Sequence, residues 1–107
     1  MSALYFLAIL SPKPDRVARV EEIAESVSNH VKEHEPGVLQ YQWFRAGSDE
    51  EPKIVVWELY ADQAAVEAHK SSSKLAWLIE TEEKESNMRE AIQVLPLEPL
   101  TGWASRS

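Results

Sequence analysis

Trp57-Glu58-Leu59-Tyr60-Ala61-Asp62-Gln63-Ala64-Ala65-Val66-Glu67-Ala68-His69-Lys70-Ser71 reads as a buried strand that ends at Tyr60 and turns at once into a short helix. Asp62 stands at the N-cap, where its carboxylate can accept the free N–H groups of the first turn. The helix carries His69, the one histidine of the second half of the chain. A strand–turn–helix of this kind can hold an aromatic ring and an imidazole near one cavity mouth.

Upstream, Lys53 to Tyr60 is a strand whose two parity sets are both largely apolar: Ile54, Val56, Glu58 and Tyr60 against Val55, Trp57 and Leu59. A polar loop from Gly47 to Pro52 joins it to a strand over Val38 to Arg45. There Leu39, Tyr41 and Trp43 form the more apolar face. Between Arg16 and His34, Val17, Val20, Ala24, Val27 and Val31 recur at steps of three and four, which predicts an amphipathic helix. Glu35 precedes Pro36, which turns it away from helical backbone, and Gly37 completes the turn. Leu4 to Leu10 is a continuous apolar strand stopped by Pro12 and Pro14.

Downstream of Ser71-Ser72-Ser73 the pattern predicts a second helix from about Lys74 to about Met88, with Leu75, Leu78 and Ile79 turned inward. A last strand is expected within Arg89 to Ala104, interrupted by Pro96 and Pro99. The order strand, long helix, strand, strand, helices, strand is the split βαβ plan. It predicts one α+β, ferredoxin-like domain over 1–107, a four-stranded antiparallel sheet with helices on one face. Helices cover only one face of such a sheet, yet both faces are apolar here. A homodimer closing two sheets into an α/β barrel is therefore expected, with Trp57 at the interface.

Net charge is −7, from 18 acidic and 11 basic residues. Such a surface repels phosphate backbones and anionic lipid, which argues against nucleic-acid and membrane partners. With no cysteine, disulfides, thiolate catalysis and zinc–cysteine sites are excluded. The apolar N-terminal run lacks a basic region and is too short to span a bilayer, so a cytoplasmic protein is expected.

The pieces that carry a family resemblance follow one another along nearly the whole chain. They are the leading strand with Pro12-Lys13-Pro14, Glu35-Pro36-Gly37-Val38-Leu39-Gln40-Tyr41, Val56-Trp57-Glu58-Leu59-Tyr60-Ala61-Asp62, and Ala64-Ala65-Val66-Glu67-Ala68-His69 with Ser72 and Ser73 after it. In this order they resemble the antibiotic biosynthesis monooxygenase domain of the dimeric α/β-barrel superfamily. Gly102-Trp103-Ala104-Ser105-Arg106 also resembles the tail of fungal members. The resemblance implies a pocket between sheet and helices. It leaves the reaction open among cofactor-free oxygenation of anthrones and hydroquinones, phospho-sugar isomerisation and haem degradation. Tyr60 falls where several members place a pocket tryptophan. Leu75-Ala76-Trp77-Leu78-Ile79 lacks the axial histidine of the haem degraders, which argues against haem.

His69 is the candidate acid–base group, since an imidazole of ordinary pKa ~6.5 gains and loses a proton near neutrality. Its bland alternative is a half-exposed histidine at a helix end. Tyr60 is the second candidate for chemistry, able to stack on an aromatic ring and offer a hydroxyl. Val56, Glu58, Ser73 and Trp77 are the candidate substrate contacts. Glu58 has a structural alternative, bonding backbone or an arginine at the subunit interface, and Trp77 has plain core packing. His30 and His34 have the i, i+4 spacing of a metal pair but no third ligand near in sequence, so no metal or other cofactor is expected. The expectation is a cofactor-independent monooxygenase acting on a small aromatic substrate and dioxygen. A non-redox isomerase, cyclase or decarboxylase, and a non-catalytic ligand-binding or stress-response barrel, are the alternatives.

Overall fold

The computed structural model of the protein describes residues 3–106. Its elements are β1 (Leu4–Leu10), α1 (Val17–His34), β2 (Val38–Gly47), β3 (Pro52–Tyr60), α2 (Gln63–Lys70), α3 (Ser73–Glu85) and β4 (Gln93–Leu97), with one 3-10 turn at Pro14–Arg16. The strands form one antiparallel sheet in the order β2-β3-β1-β4. β3 thus lies between the two strands joined by α1, which is the expected ferredoxin-like α+β plan.

Strand alternation decides which side chains meet the helices. Along β3, Pro52, Ile54, Val56, Glu58 and Tyr60 are buried, while Lys53, Val55, Trp57 and Leu59 are half-buried on the other face. Register brings Tyr41 opposite Glu58 and Trp43 opposite Val56 from β2, and Phe6 and Ala8 opposite the same pair from β1. The helix-side core therefore gathers Ala8, Leu10, Val20, Ile54 and Val56. Burying each of the larger side chains, Leu10, Val20, Ile54 and Val56, stabilises by about 1.5–3 kcal/mol. A second cluster joins Ile23, Val27 and Val31 of α1 to Val38, Tyr41 and Trp43 of β2 and to Trp77 and Leu78 of α3. Ile23 belongs to the buried stripe of α1, beside Val20, Ala24, Val27 and Val31.

Three details of the C-terminal part refine the sequence reading. α3 ends at Glu85 because Ser86 adopts the left-handed conformation, with φ of 51°, and its N–H closes on the Glu82 carbonyl. Both Arg19 and Arg16 pair with Glu85, and Arg16 Nε also donates to Asn87 Oδ1 at 2.7 Å, which fastens that end to α1. β4 is only five residues long. It includes Pro96, which an edge strand tolerates because the missing N–H costs no ladder bond on the open side. Of the residues expected inward on α3, Ile79 is 55% exposed.

The α1–β2 turn fixes the position of α2. Asp62 caps α2, accepting from Ala65 N at 2.9 Å, and Ala61 N donates to the Gly37 carbonyl at 2.8 Å. A Cβ on Gly37 would lie 2.6 Å from Ala65 Cβ, so only glycine lets the two backbones approach this closely. Gly37→Ala is expected to lower unfolding stability by about 1–3 kcal/mol through overpacking. Ala65→Gly in the same chain should recover part of the loss. Urea unfolding of the three variants measures this, and a Gly37→Ala midpoint equal to wild type would mean that α2 is free to shift.

Candidate active site

Between the sheet and helices α2 and α3 lies a cavity of about 500 Å³. Its floor is Phe6, Ala8, Tyr41, Trp43, Val56 and Tyr60 from the three strands β1, β2 and β3. Its roof is Val66 and His69 of α2, with Leu75, Leu78, Ile79 and Glu82 of α3. The i, i+3, i+4, i+7 spacing of those four α3 residues places them on one helix face. This is why Ile79 is exposed, since it borders an open space rather than a packed core.

Four of the six residues singled out in the sequence line this cavity: His69, Tyr60, Glu58 and Val56. Ser73 and Trp77 do not. Ser73 is exposed at the first position of α3, beside Ser72, which caps that helix by accepting from Leu75 N at 3.1 Å. Trp77 faces α1, packs on the Ile23–Val27–Val31 cluster and carries Lys74 Nζ 3.9 Å above its ring. The helix is rotated so that its aromatic residue completes the core and its aliphatic residues border the cavity.

The polar end of the cavity is built from β3, α2 and the α1–β2 turn. Tyr60 is 2% exposed, and its hydroxyl donates to Glu58 Oε1 at 2.5 Å. Glu58 thus bonds a tyrosine next to it on the same face, and among the described residues it has no backbone or arginine partner. Burial pushes the Glu58 carboxyl above the usual glutamate range, and the Tyr60 hydroxyl and nearby His69 oppose that shift. Burial, and then the bond to Glu58, raise the Tyr60 hydroxyl. Burial and the charges of Glu58 and Glu35 raise Tyr41. Both phenols therefore stay protonated near neutral pH and act through hydrogen bonds and ring faces.

His69 is 8% exposed and stands edge-on to Tyr41, with ring centroids 5.5 Å apart, and 5.7 Å from the Tyr60 ring. Its Nδ1 is 2.8 Å from Glu35 Oε1. A carboxylate can only accept, so in a neutral imidazole this contact favours the proton on Nδ1 and the lone pair on Nε2. Among the aromatic side chains of the lining, sequence reasoning left out Tyr41, Trp43 and Phe6. Parity put Tyr41 and Trp43 on one apolar face, but only the register against Glu58 and Val56 turns that face toward the cavity. Glu35 was read as the residue before Pro36, and nothing local tells that it meets a side chain 34 positions away. His30 and His34 lie with ring centroids 4.7 Å apart. Among the described residues no group of three or more His, Cys, Asp or Glu side chains is arranged to hold a metal ion.

A family model described as antibiotic biosynthesis monooxygenase matches residues 4–78. The chain belongs to the antibiotic biosynthesis monooxygenase family. The matched region holds every element from β1 to the middle of α3, and with them Glu35, Glu58, Tyr60 and His69. The tail Gly102–Arg106 lies beyond it. A Caulobacter crescentus structure described as a candidate antibiotic biosynthesis monooxygenase is 26% identical, with a TM-score of 0.82 over 92% of this chain and 91% of that one. PA3566 of Pseudomonas aeruginosa, 18% identical, superposes with a TM-score of 0.80 over 94% of this chain and 97% of its own. Rv0793 of Mycobacterium tuberculosis, 19% identical, does so at 0.76 over 96% and 100%. The last two show the shared fold. No curated protein sequence matches the chain. No helix among the described residues is long and apolar enough to cross a membrane.

The raised Glu58 carboxyl has a consequence for stability. Between the unfolded glutamate value of ~4.3 and the higher folded one, the native state binds more protons than the unfolded state, so stability falls as pH rises through that window. Glu58→Gln keeps an acceptor for Tyr60 and removes the titration. Its stability should gain on wild type between pH 4 and 8, measured by urea unfolding across that range. Parallel profiles would mean that Glu58 ionises in the folded protein as it does in the unfolded chain.

Proposed function

We propose that the protein is a cofactor-independent monooxygenase of small aromatic substrates such as anthrones, hydroquinones or related polyketide-like phenols. The observation that carries this reading is an imidazole whose Nε2 has no hydrogen-bond partner among the described residues, in the wall of a mostly apolar, aromatic-lined cavity. A volume of about 500 Å³ falls within the usual range of small-molecule sites, which counts against a blocked, purely structural barrel.

The chemistry needs a base, exclusion of water and orientation. On an anthrone, His69 removes one proton from the ring CH2. The carbanion passes one electron to dioxygen, and the carbon radical and superoxide combine to a peroxide. His69 returns its proton to that peroxide. Loss of the second C–H proton with cleavage of the O–O bond gives the ketone and one water. The substrate supplies all the electrons, so the balance requires no flavin or metal. Tyr41, Trp43 and Tyr60 give ring faces for stacking, and Glu58 and Tyr60 form the polar pair beside the base.

The same reading includes a cytoplasmic homodimer. On the sheet face away from the helices, Leu7, Ile9, Val55, Trp57 and Leu59 are half-buried and Phe44 is 45% exposed. A second copy of this face is the complementary cover for an antiparallel sheet that is apolar on both sides. Light scattering should give twice the chain mass, and a stable monomer would overturn this part.

Oxygen uptake by metal-stripped protein over a panel of anthrones and hydroquinones tests the activity. Uptake should saturate with substrate and fall by about 10²–10⁴-fold in His69→Ala, the usual cost of removing a general base. Equal turnover in that variant would remove His69 from the mechanism. Turnover that proceeds unchanged under nitrogen would mark a non-redox isomerase, cyclase or decarboxylase instead.

A further inference from the structure

Glu35 occupies an unusual position for a carboxylate. It is the residue after α1, its side chain is 8% exposed, and it contacts His69, a residue of the cavity wall, without itself lining the cavity. Oε1 accepts from His69 Nδ1 at 2.8 Å. Oε2 is buried and has no hydrogen-bond partner among the described residues. The group beside it is His30, whose Nε2 is 3.8 Å away, beyond hydrogen-bond reach, on a half-buried side chain. A buried carboxylate oxygen without a donor is costly, and one that persists in a fold calls for a reason. Core packing gives none, since an apolar residue after α1 would fill the same space without desolvating a charge.

We propose that Glu35 is a positioning residue for His69. It holds the neutral imidazole as the Nδ1–H tautomer, so that the lone pair on Nε2 is the one offered to a bound ligand. It also places a negative charge behind the ring, opposite the point where a proton arrives. When His69 takes that proton, the imidazolium forms against a carboxylate already in place. His30, closing by about 1 Å on Oε2, would brace the carboxylate from the side of α1. The other titratable groups facing His69 are Tyr41 of β2 and Glu58 and Tyr60 of β3. Tyr60 donates its O–H to Glu58 as a hydrogen bond, so that pair is satisfied within itself and does not compete for Nδ1. The turn Glu35-Pro36-Gly37, held against Ala65, sets the spacing. Ala65 and His69 are one helical turn apart on α2, so the approach that places Ala65 also places the imidazole.

The proposal rests on His69 being the base of the proposed function, but its first test needs no substrate. Long-range proton–nitrogen spectra of the full chain labelled with 15N-histidine report which nitrogen of neutral His69 is protonated. The expected result is a proton on Nδ1 in wild type. In Glu35→Gln it should move to Nε2, because an amide can turn its N–H toward Nδ1 and trap the wrong tautomer. A wild-type His69 protonated on Nε2 would overturn the proposal without any variant, whatever the stability of Glu35→Gln. Retention of the Nδ1–H form in a folded Glu35→Gln would overturn it too. With a substrate from the oxygen-uptake panel, kcat of Glu35→Gln should fall by at least about 10²-fold, the scale of a misplaced catalytic proton, with KM nearly unchanged. An unchanged kcat would count against the proposal. Absence of any oxygen uptake in wild type would count against the oxygenase reading alone, since the spectra decide the tautomer independently.

Discussion

The close approach of the α1–β2 turn to helix α2 is the constraint on which the site depends. Gly37 has no side chain, and Ala65 has the smallest, so two backbones from distant parts of the chain come together there. The Ala61 N–H to the Gly37 carbonyl fixes the contact, and the Asp62 cap starts the helix in the right place. One turn farther along α2, His69 arrives over β3 and meets Glu35. A helix of only eight residues has little stability of its own in water. Its position, and so the position of the imidazole, is imposed by these contacts rather than by propensity.

Around that point the fold divides its covering of the sheet unequally. α1 is packed hard, with Val20 and Val27 each 1% exposed. α2 and α3 stand off from the sheet and leave the cavity between. α3 can do this because its ends are tied by other means. Ser72 caps one end, while Arg19, in a two-point ion pair with Glu85, secures the other. That ion pair holds the Glu85 carboxyl down to about 2. It is solvent-exposed and its energetic weight is accordingly small. Its effect is geometric: it fixes the direction of a helix whose aliphatic face borders the cavity and meets the core only at Leu78.

The cavity concentrates the cost of buried polarity in a small volume. Glu58, Tyr60, His69 and Glu35 are all removed from water, and each is paired with another of the four. The two pairs share no side-chain hydrogen bond among the described residues, but they are coupled through charge, since His69 opposes the rise of the Glu58 carboxyl. Trp43 Nε1 adds a buried donor with no acceptor among the described residues. A buried group left unsatisfied calls for a reason, and functional sites are among the places where folds tolerate one.

Much of this was legible in the sequence, for a physical reason. Hydrophobic spacing and proline, glycine and capping residues act over a few positions, so the strands, the helices, Asp62 as a cap and the split βαβ order could all be read directly. The family resemblance rested on the same local pieces. Side-chain alternation likewise assigned Val56, Glu58 and Tyr60 to a common face. The tertiary structure decided what alternation leaves open. The register of β2 on β3 turned Tyr41 and Trp43 toward the cavity, and the rotation of α3 sent Trp77 to the core and exposed Ser73. It also set Glu35 against His69. A hydrogen bond between residues 34 positions apart leaves no periodic trace in the chain, because its geometry is fixed by the packing of two backbones and not by the order of neighbouring residues.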